Sequence, residues 1–558
     1  MATAAKKRSI FDSPALDSRI KSANTTASER WIGFFASPAI IYMAYITMSG
    51  TYLNQFYIDV LKLGTVAGGA FMVLLPVLSK VFDAITNLVM GMIIDRTKTR
   101  QGKARPWMLI SAPLITITGI MLYAVPKAST TVQAIWVGIS YNLYFAFAFT
   151  IYNMSQALMV PLSTRNTKQR DALALFIAMG QSMIPGSVIY ILVPMFLLPY
   201  MGVDASRWAT VMSIVSILVL PGTILQYYFT KERVSEDAAV SAVQKIDLWT
   251  QIKTCFTDKY WLMYFAIWFV YQFSQNLYNA CSIFFGNWVL GTYNDGTTIT
   301  LMNAVGQAPL GLGVFLLWPI AKKFGKRRTT FVGMLLAAFG SFLISLIPTN
   351  FGGVLGALSI KSFGMLPTYL FTAMMAEAMD HIEWKNGYRC DGFSATMSSV
   401  MLTVMAGVGT SFFNAGLTSN GYVPPAADGS WAAQNAGTQS WIVTCFAVIP
   451  AVVYLLIAVI VFFYKVEYQM PQISADISAR HRAEAEARGE VYYSPEEKAA
   501  MEQEENDRIA EENRIKELKA KCEKKGLSFE EEEAKYQAKL AEKKAKEEAK
   551  AAKKNKKK

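Results

Sequence analysis

Apolar residues along this chain fall into twelve long runs separated by shorter polar segments. An α-helix needs about 20 such residues to cross the hydrocarbon core of a bilayer. Because lipid offers the backbone no hydrogen-bond partners, these runs fold as helices that satisfy their own peptide groups. The pattern predicts twelve transmembrane helices, at residues 31–58, 66–94, 106–126, 132–160, 171–199, 208–230, 260–290, 300–321, 329–348, 354–379, 392–417 and 440–464.

Positive charge is concentrated in alternate loops. The loops after the second, fourth and eighth runs are basic, whereas the alternate loops hold only Lys62, Lys127 and Arg207. Basic loops remain on the cytoplasmic side of a membrane. The asymmetry therefore predicts a multi-pass protein of the plasma (cell inner) membrane with both termini in the cytoplasm.

A polar stretch between the sixth and seventh runs divides the chain. It predicts a cytoplasmic N-terminal segment (1–30), an N-terminal half (31–230), a linker (231–259), a C-terminal half (260–464) and a charged cytoplasmic tail (465–558). Two repeated halves around a central site are a common transporter plan. A faint repeat supports it, with the sequence Gly-Lys-Ala-Arg at 102–105 after run two and Gly-Lys-Arg-Arg at 325–328 after run eight.

Composition narrows the function classes. The chain has 558 residues, 53% of them hydrophobic, and a formal net charge of +13. Nearly all of the basic excess lies before residue 465 and largely in short loops, which argues against nucleic-acid binding. The five cysteines show no paired spacing, so neither a metal site nor a disulfide framework is expected. The tail mixes Lys, Glu and Ala and predicts a solvated, partly helical or disordered segment, with a partner-binding coiled coil as the alternative.

One acidic residue lies in the middle of the second run. Asp83 stands among apolar neighbours, and a charged side chain at this depth costs roughly 3 kcal/mol on insertion scales. Such a residue normally faces a cavity and binds a cation or a proton; the alternative is a buried, neutral, hydrogen-bonded acid. Thr86 and Asn87 follow on the same helical face. The three side chains form a hard-oxygen site suited to a small cation.

Other polar residues within the runs are candidates for substrate binding. Aromatic faces with amide donors suit sugar rings, and interhelical hydrogen bonding is the alternative for each such residue. Lys361 is suited to an anionic group, or it reaches an interface by snorkelling. The predicted substrate-binding residues are Asn153 and Gln156 in run four, Trp268, Tyr271, Gln272, Gln275 and Asn279 in run seven, and Lys361 in run ten.

Acidic and basic residues also meet at the predicted cytoplasmic ends of the helices. Opposite charges on two helix ends can pair across the halves, and their separation lets the halves rock in an alternating-access motion. Membrane anchoring and helix capping are the alternative roles. The predicted gating residues are Asp95, Arg96, Arg100 and Arg105 after run two, and Asp380, Glu383 and Arg389 after run ten.

Two of these segments resemble signatures of one transporter family. The sequences DAITN at 83–87, GMIIDRT at 91–97 and RQGKARPW at 100–107 resemble its second-helix signature, and AEAMDHIEWKNGYRCDG at 376–392 resembles its second signature. The family is that of the glycoside–pentoside–hexuronide:cation symporters, melibiose-permease-like members of the major facilitator superfamily. The resemblance covers about residues 30–465 and implies an all-α membrane fold of two six-helix halves.

The resemblance also implies roles for individual residues. Asp83, Thr86 and Asn87, with Thr150 on run four, occupy the family's cation-binding positions. A second aspartate common in the family is replaced by Asn87, which leaves H⁺ and Na⁺ both open as coupling ions. At the sugar-binding aspartate positions stand Met43 and Asn153, so a galactoside-type site is not carried over.

Together these observations predict a monomeric symporter, and no enzyme or cofactor. It would carry a glycoside, uronide or related small solute by alternating access with H⁺ or Na⁺, in contact with membrane lipids. Two alternatives remain open. One is a facilitator for amphipathic lipids or other organic solutes, whose cavity would be apolar and include Met43 and Ala157. The other is a non-transporting membrane scaffold or sensor that acts through its tail.

Overall fold

The computed structural model describes residues 13–183, 189, 191–234, 247–426, 428–489, 491–493, 495–538 and 540–542. Within these ranges the chain is helical and forms no β-strand. Parts of several predicted segments fall outside the described residues, namely 1–12 of the N-terminal segment, 184–188 and 190 of the fifth run, 235–246 of the linker and 543–558 of the tail.

Helices follow the predicted apolar runs. They are α1 (Glu29–Val60), α2 (Ala70–Arg96), α3 (Arg105–Tyr123), α4 (Thr130–Ala157), α5 (Thr167–Ala178), α6 (Ala205–Tyr228), α7 (Lys259–Phe285), α8 (Gly296–Phe324), α9 (Lys326–Leu346), α10 (Phe351–Asn386), α11 (Asp391–Ser419) and α12 (Ala436–Phe463). A linker helix (Leu248–Thr257) precedes α7, and α13 (Val466–Ala487) and α14 (Pro495–Lys525) follow in the tail.

Nine of the described helices are long and apolar enough to cross a membrane. They confirm an all-α membrane fold and match nine predicted runs. Helices α7 and α8, with 27 and 29 residues, correspond to the runs at 260–290 and 300–321 but are not among the nine. The run at 171–199 extends beyond the described residues. The count of twelve spans and the boundary between the halves therefore remain predictions.

Short polar residues begin many of these helices. Each accepts hydrogen bonds from backbone N–H groups in the first helical turn, which have no partner inside the helix. Such caps stabilise a helix by about 1 kcal/mol each. The capping residues are Asp204 before α6, Asp258 before α7, Asp295 before α8, Asn350 before α10 and Asn435 before α12.

The two predicted halves meet where α2 packs against α11 and the later part of α1 packs against α7. A glycine makes the first contact close. A Cβ atom at Gly407 on α11 would lie 2.8 Å from the backbone oxygen of Pro76 on α2. Small residues commonly permit this approach between membrane helices. The contact brings the middle of α2, which carries the predicted cation site, against the opposite half.

The repeated basic motifs bind equivalent carboxylates. Glu232, after α6, accepts hydrogen bonds from the backbone N–H groups of Lys103, Ala104 and Arg105 at 2.8–2.9 Å. Glu467, after α12, accepts them from Lys326 at 2.7 Å and Arg327 at 2.9 Å.

Arginines of both motifs add a second matching feature. Arg105 donates to the backbone oxygen of Tyr227 near the end of α6, and Arg327 to that of Phe462 near the end of α12. The basic turn of each predicted half is thus held by the same two kinds of hydrogen bond, one to a carboxylate and one to the end of the last helix of that half. This agrees with the predicted repeat.

The tail contacts both halves at the predicted cytoplasmic end. Arg480 of α13 donates to the backbone oxygen of Trp384 at 2.8 Å. Asp507 of α14 accepts a hydrogen bond from Lys168 at 2.6 Å, and this bond is the main reason that the pKa of Asp507 lies below its usual value. The described part of the tail is therefore helical and lies against the transmembrane bundle.

Candidate functional site

A cavity of about 300 Å³ lies between α1, α2, α4, α7 and α11. It therefore has walls from both predicted halves. Its lining is mainly polar and aromatic, and includes Tyr45, Lys80, Tyr141, Asn276, Asn279 and Thr410. A break in α1 contributes to the wall, because Gly50 has a φ of +60°, a left-handed conformation that favours glycine.

The predicted cation site forms beside this cavity. The carboxylate of Asp83 accepts hydrogen bonds from Thr150 of α4 and from Asn87, each at 2.9 Å. Thr86 donates to the backbone oxygens of Phe82 and Asp83, both at 3.0 Å. The structure thus brings Asp83, Asn87 and Thr150 together, whereas the Thr86 hydroxyl is engaged with the backbone. The Asp83 carboxylate faces α4 inside the N-terminal half.

The site also contains a basic residue that the sequence reasoning missed. Nζ of Lys80 lies 3.4 Å from Oδ2 of Asp83, and the two side chains are 17% and 15% exposed. At an effective dielectric constant of about 20, the attraction at this distance is about 5 kcal/mol. That is comparable with the cost of placing two charges at membrane depth, roughly 3 kcal/mol each. The sequence did contain a sign of this pair, because Lys80 lies one helical turn before Asp83 in the same apolar run.

The predicted substrate-binding residues of α7 separate into two groups. Asn279 lines the central cavity, as does Asn276, a polar residue of the same run that is not among the predicted substrate-binding residues. Gln275 instead accepts a hydrogen bond from Tyr454 of α12 at 3.3 Å, and Trp268 donates to the backbone oxygen of Ser398 at 3.0 Å. Gln272 is buried, and Tyr271 packs edge-on against Phe371. Of the five predicted residues on α7, Asn279 alone lines the central cavity.

The two candidates on α4 lie in different surroundings. Asn153 is exposed and accepts a hydrogen bond from Tyr42 of α1 at 3.1 Å. Gln156 is buried, and neither polar atom of its side-chain amide has a hydrogen-bond partner among the described residues. Neither residue lines the central cavity.

Lys361 is buried in the C-terminal half with an exposed fraction of 3%. Its Nζ atom has no hydrogen-bond partner among the described residues and lies 3.6 Å from the centre of the Tyr278 ring. A cation over a desolvated aromatic ring gains about 2 kcal/mol. Lys361 therefore does not snorkel to an interface, and it does not line the cavity either. Its substrate role stays a prediction.

The gating candidates at the end of α2 and just after it contact residues of the N-terminal half and of the N-terminal segment. Asp95 pairs with Lys103 at 3.3 Å, and Arg100 pairs with Asp17 at 2.9 Å. Arg105 is buried and donates to Gln101 and Tyr227. Arg96 is exposed.

The gating candidates at the end of α10 and just after it contact residues of the C-terminal half and of the tail. Arg389 pairs with Asp380, with Glu383 at 3.2 Å and with Asp391 at 2.7 Å. The hydrogen bond to Asp391 raises the pKa of Arg389 above its usual value despite burial, with a further contribution from Asp380. Glu383 also pairs with His481 of α13 in the tail at 2.9 Å. Among the described residues, none of these ion pairs joins the two halves. The gating role stays a prediction.

The halves are instead joined at the predicted outer end by hydrogen bonds that the sequence did not reveal. Asn54 of α1 and Asn414 of α11 exchange hydrogen bonds at 3.0 Å, and both are buried. Asp59 of α1 accepts a hydrogen bond from Tyr422 at 2.7 Å. Asn54 also lines the central cavity, so these contacts join the halves next to it.

A helical membrane bundle with a polar cavity lined by helices of both predicted halves, and a carboxylate at membrane depth beside it, is typical of a transporter of small solutes. This chain belongs to the MFS/sugar transport protein family, which matches residues 34–468. Members of that family are transporters, and this chain is a transporter embedded in the membrane, not an enzyme.

Similar proteins agree with this assignment. The chain is 26% identical to the isoprimeverose transporter of Lactiplantibacillus pentosus over 78% of this chain and 89% of the relative. It is 23% identical to the glucuronide carrier protein homolog of Escherichia coli K12 over 78% and 93%. An inward-facing crystal structure of a bacterial homolog of the lysosomal transporter Spinster shares the fold, with a TM-score of 0.54 and 14% identity over 79% of this chain and 99% of that one.

Proposed function

We propose that this chain is a symporter that carries a small glycoside, uronide or related polyhydroxylated solute together with H⁺ or Na⁺. The observation that supports it most directly is the position of Asp83. Its carboxylate is held by Thr150 and Asn87 and lies one helical turn from a residue of the central cavity wall. An ion bound there would alter the charge at the cavity itself.

The proposed cycle uses both halves. The coupling ion binds at Asp83 and the solute binds in the cavity between α1, α2, α4, α7 and α11. The outer contacts between Asn54 and Asn414 and between Asp59 and Tyr422 break when the bundle opens outward. The charged groups at the inner end would then pair across the halves. We further propose a monomer with both termini in the cytoplasm.

The cavity does not favour the lipid-facilitator alternative. That alternative requires an apolar cavity with Met43 and Ala157 inside it, whereas the lining is mainly polar and aromatic and contains neither residue. The family assignment does not favour a non-transporting scaffold. Relatives named for transport of isoprimeverose and glucuronides place sugar-like solutes first among substrates to test.

Uptake into proteoliposomes tests the proposal. Purified full-length protein should accumulate a radiolabelled glycoside or glucuronide when an inward H⁺ or Na⁺ gradient is imposed. Asp83→Asn should abolish this accumulation, because the carboxylate that binds the ion is gone, while the protein remains folded. Asp428→Asn, in an exposed loop, is the matched control. Gradient-driven accumulation that persists in Asp83→Asn would contradict the proposal.

A further inference from the structure

Lys80 stands between the central cavity and the Asp83 carboxylate. It lines the cavity, whereas Asp83 does not, and its ammonium group lies 3.4 Å from Oδ2 of Asp83. The ammonium group of a residue in the cavity wall is therefore paired with a carboxylate on its own helix.

Lys80 is the one charged residue among the described residues of the cavity lining. The remaining polar groups of the wall are the hydroxyls and amides of tyrosine, serine, asparagine and threonine residues. Hydroxyls and amides bind sugar hydroxyls without regard to charge. A lysine in such a wall adds selectivity for an anion, because an ammonium binds carboxylate or sulfonate oxygens with charge-assisted hydrogen bonds.

The groups that face the pair are otherwise neutral. Thr150 and Asn87 donate to the carboxylate. Tyr45 and Tyr141 are the titratable groups near it on α1 and α4. Helix α11, which packs against α2, carries no charged residue between 392 and 419. No other described group in this region compensates the charge of Lys80 once Asp83 is neutralised.

We propose that Lys80 binds the anionic group of the substrate and that Asp83 holds it until the coupling ion arrives. This inference rests on the proposed function and narrows its substrate class to small polyhydroxylated monoanions, such as uronides or sulfonated polyols. A monovalent cation bound at Asp83 takes over the carboxylate. The flexible lysine side chain is then free to turn into the cavity.

The exchange of partners balances charge at every stage. Without ligands, Lys80 neutralises Asp83. With ligands, the coupling cation neutralises Asp83 and the substrate anion neutralises Lys80. Each turnover therefore moves one positive and one negative charge together. The cycle is electroneutral for a monoanion, and its rate should not respond to membrane potential. A neutral sugar carried by the same route would move net charge.

A matched pair of ligands separates this proposal from the proposed function. Methyl β-D-glucuronide and methyl β-D-glucoside differ only at C6, where the first carries a carboxylate and the second a hydroxymethyl group. In proteoliposomes that contain the full-length protein, Lys80→Met should raise the half-saturation concentration for glucuronide uptake by at least about tenfold. That factor corresponds to the free energy of one charge-assisted hydrogen bond. The glucoside should change by less than about threefold. Lys80→Arg, which retains the charge, should preserve the preference for the anion.

Asp83→Asn provides a readout that a merely structural lysine would not move. In the wild-type protein, binding of the glucuronide should require the coupling ion. In Asp83→Asn the lysine is already released, so the glucuronide should bind equally well with and without that ion. Calorimetry on the detergent-solubilised protein measures this. If Lys80→Met alone unfolds, the variant Lys80→Met/Asp83→Asn is compared with Asp83→Asn, because it leaves no unpaired charge.

Three outcomes would overturn the inference. They are an equal loss of both ligands in Lys80→Met, glucuronide binding that still needs the coupling ion in Asp83→Asn, and a failure of the wild-type protein to bind the glucuronide. If the glucoside is nevertheless accumulated by an ion gradient, the proposed function stands without the inference. If no ion gradient drives either ligand, the proposed function itself fails.

Discussion

The two halves of the bundle share a frame but differ in what they hold inside the membrane. In each half one carboxylate accepts hydrogen bonds from the backbone of the basic turn at the predicted cytoplasmic end. It is Glu232, just after the first half, and Glu467, just after the second. At membrane depth the first half holds an ion pair, Lys80 and Asp83, whereas the second holds Lys361 with no carboxylate partner among the described residues.

This difference indicates which features each role requires. Two halves that rock against each other need similar scaffolds. In each half a carboxylate that caps backbone N–H groups at the predicted cytoplasmic end stabilises that scaffold. Ion coupling needs a single site, and a carboxylate that binds a cation is costly at this depth. Repetition therefore concerns the scaffold, whereas the Lys80–Asp83 ion pair belongs to the first half.

Removing one lysine from each half should shift stability in opposite directions, and Lys80 should give the larger effect. Lys80→Met leaves Asp83 without its counter-charge, and breaking such a pair lowers the free energy of unfolding by about 3 kcal/mol. Thermal unfolding in detergent measures the change. The double variant Lys80→Met/Asp83→Asn is the control and should recover most of the loss. A single variant as stable as the wild type would contradict the pairing.

The two capping carboxylates test the shared frame. Glu232→Gln and Glu467→Gln each weaken charge-assisted hydrogen bonds to backbone N–H groups at a helix start, and each should cost about 1 kcal/mol. Glu232 should cost slightly more, because it accepts three such bonds and Glu467 accepts two. Thermal unfolding measures both losses against Glu502→Gln, a change at an exposed carboxylate of α14. If only one of the two variants lost stability, the conclusion that both halves share this contact would be contradicted.

Lys361→Met should raise the free energy of unfolding by about 1 kcal/mol. The variant removes a buried charge that costs roughly 3 kcal/mol and loses a cation–π contact worth about 2 kcal/mol. A lower melting temperature would show that Lys361 has a stabilising partner. The same variant tests its predicted substrate role, because transport of an anionic solute should then fall more than that of a neutral one. An equal effect on both solutes would reject that role.

The outer contact between the halves should tune their relative motion. Asn414→Leu removes the two hydrogen bonds exchanged with Asn54 and the one donated to the backbone oxygen of Met72. A hydrogen bond between membrane helices is worth about 0.6 kcal/mol on average, so the variant should favour outward opening at least about threefold. Alkylation of a cysteine introduced by Thr410→Cys in the cavity wall reports that opening. Asn142→Leu is the control, because the amide of Asn142 donates to Gly138 within α4. An unchanged alkylation rate would show that this contact does not control opening.

Truncation of the tail from residue 495 should have the smallest effect. The contact of α14 with the N-terminal half includes a pair between Lys168 and Asp507, whose side chains are 69% and 44% exposed. Exposed pairs contribute about 0–1 kcal/mol. Uptake should therefore stay within about twofold of that of the full chain. Loss of uptake in a folded truncated protein would favour the scaffold alternative.

Much of this molecule follows from the sequence by itself. The spacing of apolar runs predicts a helical membrane bundle, because lipid leaves the backbone few other conformations. Asp83 was identified for the same energetic reason. Thr150 came from family resemblance, and the structure places its hydroxyl 2.9 Å from that carboxylate.

Only the tertiary structure decided which polar residues meet. Whether Gln275 faces the cavity or Tyr454 depends on how α7 is rotated against α12, and helical periodicity does not determine that rotation. Asn54 and Asn414 are 360 positions apart, and nothing local to either predicts the other. The role of Lys80 likewise depends on the cavity wall that α1, α4, α7 and α11 complete around it. The sequence determines the chemistry of each side chain, but packing between helices that are distant in the chain determines which partner it contacts.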